Sequence, residues 1–307
     1  MARVLVTGGA GFIGSHLVDA LIERGDDVIV VDNLSTGSVD NVKGHKSKFQ
    51  FFNRNILDLD FLMDIMKGVE FVSHQAALAS VPRSIADPIA SNQVNVQGTL
   101  NVLWAAKENQ VKRVVVASSS SIYGDTVVSP KNEKLEFKPK SPYALSKVAT
   151  EEYARIFFEV YGLETIALRY FNIFGPRQSP NGPYAAVIPR FIDDFKQNQS
   201  PKINGDGSFS RDFTYVANAV SANLLSFVAP KESCGTAYNV GAGAETTILR
   251  LFEEIRGTLN SKLDPIFGPV REGDVAHSRA DISKAESGLA YKVLVSFEEG
   301  IRLTVNA

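Results

Sequence analysis

The segment "VLVTGGAGFIGSHLVDAL" (residues 4–21) constrains this 307-residue chain more than any other. An apolar, β-branched run stops in glycines, and a helical pattern begins at once. Gly9, Gly11 and Gly14 spell G-x-G-x-x-G, whereas Gly8, Gly11 and Gly14 spell G-x-x-G-x-x-G. The sequence leaves both registers open. In either, glycine permits the tight turn and lets the backbone approach a pyrophosphate seated on a helix N-terminus. The next strand makes the match specific. "DVIVVD" (27–32) reads as that second strand and ends on Asp32, 18 residues beyond Gly14. A carboxylate there accepts hydrogen bonds from both adenosine ribose hydroxyls and repels a 2′-phosphate, which points to NAD over NADP.

The alternation continues. Apolar runs at 48–53, 69–75, 111–118 and 163–172 alternate with helical patterns at 58–68, 93–109 and 141–162. Continuous apolar strands separated by helices imply a parallel sheet covered on both faces. Crossovers of this kind are right-handed, so the expected class is α/β, a Rossmann-type doubly wound parallel sheet. After residue 172 the rhythm breaks into a Gly/Pro-rich stretch and short elements, among them a helix near 187–198, a strand at 202–204, "RDFTYV", a helix near 216–228 and "AYNV". The expected division is a cofactor domain at 1–172, to which 211–241 returns, and a smaller C-terminal α/β substrate domain at 173–307.

Composition excludes other classes. With 32 basic and 34 acidic residues the formal net charge is -2, without long like-charge runs, so nucleic acid and anionic membranes are poor partners. No apolar run approaches the roughly 18 residues of a membrane span. The N-terminus is too glycine-rich for a signal peptide. One cysteine, Cys234, excludes a disulfide framework and suggests a reducing, cytoplasmic setting. The four scattered histidines argue against a metal site.

The chemistry sits in "SPYALSKVATEEYA". Tyr143 and Lys147 stand four apart, on one helix face. An ammonium beside a phenol, together with a cationic nicotinamide, lowers the phenol's ordinary value near 10 and makes it a general base. Upstream, "VVVASSSSIYGD" ends a buried strand in four hydroxyls, Ser118 to Ser121. A polar strand end satisfying its own backbone is the plain explanation, and it suits Ser118 best, with a cofactor contact as the alternative. Tyr123 is not the base, because Val127 stands where a lysine is needed.

These motifs, with "TGGAGFIG", "VVDNLSTG", "HQAALASVPRS", "LRYFNIFGPRQ", "GDGSFSRDFTYV" and "REGDVAHSRADISKA", span nearly the whole chain. They resemble the extended short-chain dehydrogenase/reductase family in its nucleotide-sugar branch, and within it the UDP-N-acetylglucosamine 4-epimerases. The resemblance implies NAD on Gly8, Gly11, Phe12, Ile13 and Gly14, then on Asp32, Asn33, Ser35, Thr36 and Gly37. Asn55 and Ile56 would flank the adenine; Gln75, Ala76, Ala77, Asn95, Ser118, Tyr143, Lys147 and Tyr170 would line the remainder. Asn55 departs from the aspartate common there but retains an acceptor oxygen. Ser119, 24 residues before Tyr143, matches the hydroxyl that bonds the reacting oxygen.

Dehydratases resembling this family carry an Asp-Glu pair after that hydroxyl, and decarboxylases a glutamate. Ser120 and Ser121 stand there instead, so elimination lacks its acid. The surviving chemistry is C4 epimerisation through a 4-keto sugar. The resemblance places the UDP-sugar on Ala79, Ser80, Ser119, Ser120, Ser121 and Asn172. It adds Gln178, Ala186, Val187 and Asn204, with Arg211 and Arg271 as diphosphate grips and Asp274 on the ribose. The residue matching Ser278 forms a pocket wall; small, it leaves room for an acetamido group. UDP-GlcNAc/UDP-GalNAc is therefore the expected pair, against UDP-glucose or UDP-glucuronate, or a non-catalytic nucleotide sensor. The resemblance also implies a homodimer through 93–109 and 141–162, where Tyr153, Ile156, Phe157 and Val160 form a stripe equally suited to core or interface.

Overall fold

The computed structural model describes residues 1–45, 48–180, 186–270 and 276–307. Arg271 and Asp274 lie outside them. Seven strands form one sheet: β1 (Arg3–Thr7), β2 (Asp27–Asp32), β3 (Phe49–Asn53), β4 (Phe71–His74), β5 (Arg113–Ser119), β6 (Glu164–Tyr170) and β7 (Thr236–Val240). Their order is β7-β6-β5-β4-β1-β2-β3, and every neighbouring pair is parallel. The chain winds outward from β1 to β3, then restarts at β4 on the other side. Such a reversal leaves a crevice beyond the carboxyl ends of β1 and β4.

Side chains of β1 alternate between two cores, as the period of two requires. Val4 and Val6 pack with Leu17, Val18 and Leu21 of α1 (Phe12–Glu23), while Leu5 packs with Leu62, Val102 and Leu103 on the opposite face. Each fully buried aliphatic contributes about 1.5–3 kcal/mol. α2 (Leu59–Ile65), α3 (Gly98–Glu108) and α4 (Pro142–Tyr161) cover that second face. The helix expected at 93–109 opens with a π turn, Gln93–Gln97, before α3. α5 (Val187–Lys196), α6 (Val216–Val228), α7 (Ile248–Thr258) and α8 (Phe297–Val305) complete the long helices. α5, α7 and α8 enclose a separate core around Phe191, Phe252 and Phe297, whereas α6 packs on the sheet beside α1.

α4 is capped at both ends. The Ser141 side chain accepts from the Ala144 N–H, Pro142 opens the first turn, and Gly162 closes the helix at φ +73°. Tyr143 therefore stands in the first turn, with Lys147 one turn on. The stripe on this helix divides: Phe157 is core, Tyr153 is half-buried, and Ile156 and Val160 are exposed.

Candidate active site

At the crevice lies a cavity of about 1160 Å³, lined from the ends of β1, β2, β4, β5 and β6. The glycine turn forms its floor. Gly8 has φ +69°, and a Cβ on it would meet the Ala76 nitrogen at 2.6 Å. A Cβ on Gly14 would lie 2.1 Å from the Gly8 oxygen. Gly9 packs toward Val30, where a Cβ would come within 2.7 Å of Cγ1, so Gly8, Gly9 and Gly14 all lack room for a side chain. Gly11 precedes α1 as its N-cap without a side-chain cap, so the helix's first N–H groups face the cavity. Asp32 steadies the turn, its Oδ2 accepting from Ala10 N–H at 3.0 Å and its Oδ1 from Leu34 N–H at 2.8 Å. Each oxygen retains a lone pair for a ribose hydroxyl. A backbone cradle that no Cβ can enter, backed by this carboxylate, fits NAD. Phe12, Ile13, Asn33, Ser35, Thr36, Asn55, Ile56, Gln75, Ala76, Ala77, Ser118 and Tyr170 also line the cavity.

Two expected cofactor residues act from outside the lining. Gly37 packs on Ala10, where a Cβ would come within 2.8 Å of its carbonyl carbon. Asn95, carried by the π turn, accepts from Leu78 N–H at 2.8 Å and donates to Ser146 Oγ, holding the loop that follows Gln75.

Three consecutive residues at the end of β5 each meet a different turn of α4. The Lys147 ammonium donates to the Ala117 carbonyl at 2.7 Å, 6.0 Å from the centre of the Tyr143 ring. Tyr143 hydrogen-bonds Ser119. The Ser118 hydroxyl donates to Glu151. Burial pushes the Tyr143 phenol above its ordinary value, against the Ser119 hydrogen bond. The expected lowering includes the cationic nicotinamide; in the protein alone, desolvation outweighs the Ser119 contact. Burial takes Lys147 down to about 8, against the pull of Glu151, so it is still largely charged at neutral pH. Tyr123 is fully buried, donates to Asn239 Oδ1 at 2.7 Å, and is pushed up to about 12 by burial.

Ser119, Ser120, Ser121, Ala79, Asn172, Gln178, Ala186, Arg211 and Ser278 line the same cavity. Arg211 and Ser278 are direct partners between two short parallel strands. Ser121 Oγ and Gln178 Oε1 are buried without a hydrogen-bond partner among the described residues, which suits groups awaiting a ligand. Three expected substrate residues are not brought in. Ser80 caps the helix Val81–Ala86, Val187 opens α5, and Asn204 is exposed at the end of Lys202–Asn204.

Sequence reasoning missed Arg54, Lys131 and Arg177 in the lining, and His74 and Glu151 behind it. Arg54 and Arg177 adjoin Asn55 and Gln178, so adjacency was the available signal. His74 bridges Thr7 and Thr99, and burial holds it down to about 3, hence neutral. Among the described residues no group of His, Cys, Asp or Glu is placed to hold a metal, and no helix is long and apolar enough to cross a membrane.

The comparisons with known proteins agree with this geometry. The family model "NAD dependent epimerase/dehydratase family" matches residues 4–241. A putative UDP-glucose 4-epimerase of Methanocaldococcus jannaschii is 42% identical over 305 residues, 99% of this chain and 97% of the relative. The structure of a UDP-N-acetylglucosamine 4-epimerase from Methanobrevibacter ruminantium, in complex with UDP-N-acetylmuramic acid, is 44% identical with a TM-score of 0.95, covering 99% and 97% of the two chains. That of a UDP-glucose 4-epimerase from Thermotoga maritima with UDP-glucose is 39% identical with a TM-score of 0.94, at the same coverage.

Proposed function

Since the chain belongs to the NAD dependent epimerase/dehydratase family, among its UDP-sugar 4-epimerases, we propose that it interconverts UDP-GlcNAc and UDP-GalNAc. The observation that carries the choice of sugar is the cavity wall at Ser278. It is small and paired with Arg211, and Ala79 and Ala186 are small elsewhere in the lining. Room alone does not select an acetamido group; a hydrogen-bond partner is also needed. The orphaned Gln178 Oε1 offers an acceptor for its N–H.

NAD, when bound, supplies hydride exchange with the sugar's C4. Tyr143 takes the C4 hydroxyl proton and returns it, while Ser119 hydrogen-bonds the same oxygen. Lys147 keeps a positive charge beside the phenol. Arg211 grips the diphosphate, as a guanidinium does, and the small wall leaves the hexose room to present its other face. Asp125 and Lys140 also line the cavity but are ion-paired with each other at 3.0 Å, and Ser120 and Ser121 offer no acid for elimination. This favours epimerisation without loss of water.

A second reading, UDP-glucose, is favoured by the relatives from M. jannaschii and T. maritima, both described as UDP-glucose 4-epimerases. Ser278→Tyr separates the two. It is expected to lower kcat/KM for UDP-GlcNAc by at least about 10²-fold, leaving UDP-glucose turnover within a few-fold. Equal loss on both sugars, or wild-type enzyme inactive on UDP-GlcNAc, sinks the acetylated reading.

The proposal extends to a cytoplasmic homodimer, with residues 1–172 plus 211–241 as the cofactor domain and the rest as the substrate domain, the UDP-sugar lying between Ser119, Asn172 and Arg211 of the first and Ser278 of the second. Trp104, Leu145, Ile156, Val160 and Tyr161 are exposed on α3 and α4, which supports a contact there. Light scattering at micromolar concentration should return twice the 33.4 kDa chain mass; a monomer removes the dimer.

A further inference from the structure

The catalytic helix also buries an acidic side chain, Glu151, that takes no part in the proton transfer at C4. Tyr143, Lys147 and Glu151 stand at i, i+4 and i+8 along one face of α4, and each meets the end of β5. Their partners are Ser119, the Ala117 carbonyl and the Ser118 hydroxyl respectively. Glu151 is in turn clamped from β6. Arg169 Nη2 donates to Glu151 Oε2 at 2.8 Å, and Arg169 Nε donates to Oε1 at 3.0 Å. Both side chains are 4% exposed, so the carboxylate's position is set by protein alone. The clamp continues outward. Arg169 Nη1 donates to the Tyr123 hydroxyl at 2.7 Å, and Tyr123 donates to Asn239 Oδ1. Asn239 Nδ2 donates to the carbonyl of Lys131 and to that of Asp281, just beyond Ser278.

We propose that Glu151 is a positioning residue for the acid–base pair, registering α4 on β5 and sustaining the positive charge of Lys147. A buried ion pair by itself is weak evidence for anything beyond packing. The placement argues for more. Glu151 is the acid one turn from Lys147, and it opposes the burial that takes the ammonium down to about 8. The other groups facing Lys147 do not substitute for it. His74, from β4, is held neutral by burial; Tyr143 contributes charge only when ionised; and Arg169, behind Glu151, carries the wrong sign. Without the Glu151 charge, Lys147 loses its proton at lower pH, and the phenolate loses its counter-ion there.

The inference rests on Tyr143 and Lys147 being the acid–base pair. Three variants of the NAD-loaded enzyme test it. Glu151→Gln is expected to lower kcat at pH 8.5 by about tenfold with KM within a few-fold. It should move the alkaline limb of the kcat–pH profile down by about one pH unit, the scale of one nearby charge. It also strands Arg169, so its melting temperature should fall. Glu151→Gln/Arg169→Met removes both charges and should recover most of the melting temperature, yet keep the displaced limb. Glu151→Asp keeps the charge and should leave the limb in place while lowering kcat. If the double variant regains both stability and the wild-type pH profile, the pair only packs α4 against β6 and the inference is overturned. An active Tyr143→Phe would instead bring down the acid–base assignment itself. Should Glu151→Gln fail to fold, the pH profile of the double variant decides.

Discussion

Tyr143→Phe is expected to lower turnover of UDP-GlcNAc by about 10³-fold, within the 10²–10⁴ range of a positioned acid–base group. The substitution removes one oxygen from a ring that α4 holds through its caps, so the fold should change little. Tyr143 sits one turn from Lys147 and shares a hydrogen bond with Ser119, and Tyr123 cannot replace it from its own buried cluster. Bound NAD and the affinity for UDP should persist, because the cradle at Gly8 to Gly14 and the Arg211 side of the cavity are untouched. The measurement is single-turnover and steady-state conversion of UDP-GlcNAc, alongside NAD content of the purified variant. Activity within tenfold of wild type would mean that another group carries the proton.

Gly14→Ala should abolish retention of NAD. An added Cβ lands 2.1 Å from the Gly8 oxygen and 2.9 Å from the Gly9 Cα, both backbone, so no side chain can move aside. The turn must open. Opening it withdraws the α1 N-terminus from the site that would receive the pyrophosphate, and disturbs the bond from Ala10 N–H to Asp32. NAD per chain after heat extraction is expected to fall from about one to below about one-tenth, with epimerase activity restored at most partly by millimolar NAD. Gly257→Ala serves as the control. Nothing lies within 4 Å of the added Cβ, and the site is inside α7, so stability should rise by up to about 1 kcal/mol with NAD retained. If Gly14→Ala purifies with a full complement of NAD, the glycine turn does not hold the cofactor.

Much of the molecule was legible because its central strands are buried on both faces. Val4, Leu5 and Val6 are all apolar because each points into a core, so β1 reads as an unbroken run. The same holds for β2 and β5, and their ranges fall within a residue or two of expectation. The helix at 93–109 was less legible. The π turn at Gln93–Gln97 leaves no periodic mark, since Asn95 is there to reach Leu78 and Ser146 rather than to pack. The stripe on α4 could not be divided either. Phe157 and Ile156 are equally apolar, and only the position of the sheet makes one core and the other surface.

The sequence by itself determined the class of fold and the dinucleotide, and it set Tyr143 and Lys147 one turn apart on a helix. Each is encoded in residues close along the chain, where glycine conformation, helix spacing and strand burial are local physics. The tertiary structure decided the rest. How little room Gly8 and Gly9 have depends on how close Ala76 and Val30 come, from other parts of the chain. Whether burial or charge governs the Tyr143 phenol depends on how much of the protein surrounds it. The partner of Glu151 lies 18 residues away on β6, and the partner of Ser278 lies 67 residues away at Arg211. Such pairings are set by sheet order and register, which no local pattern carries.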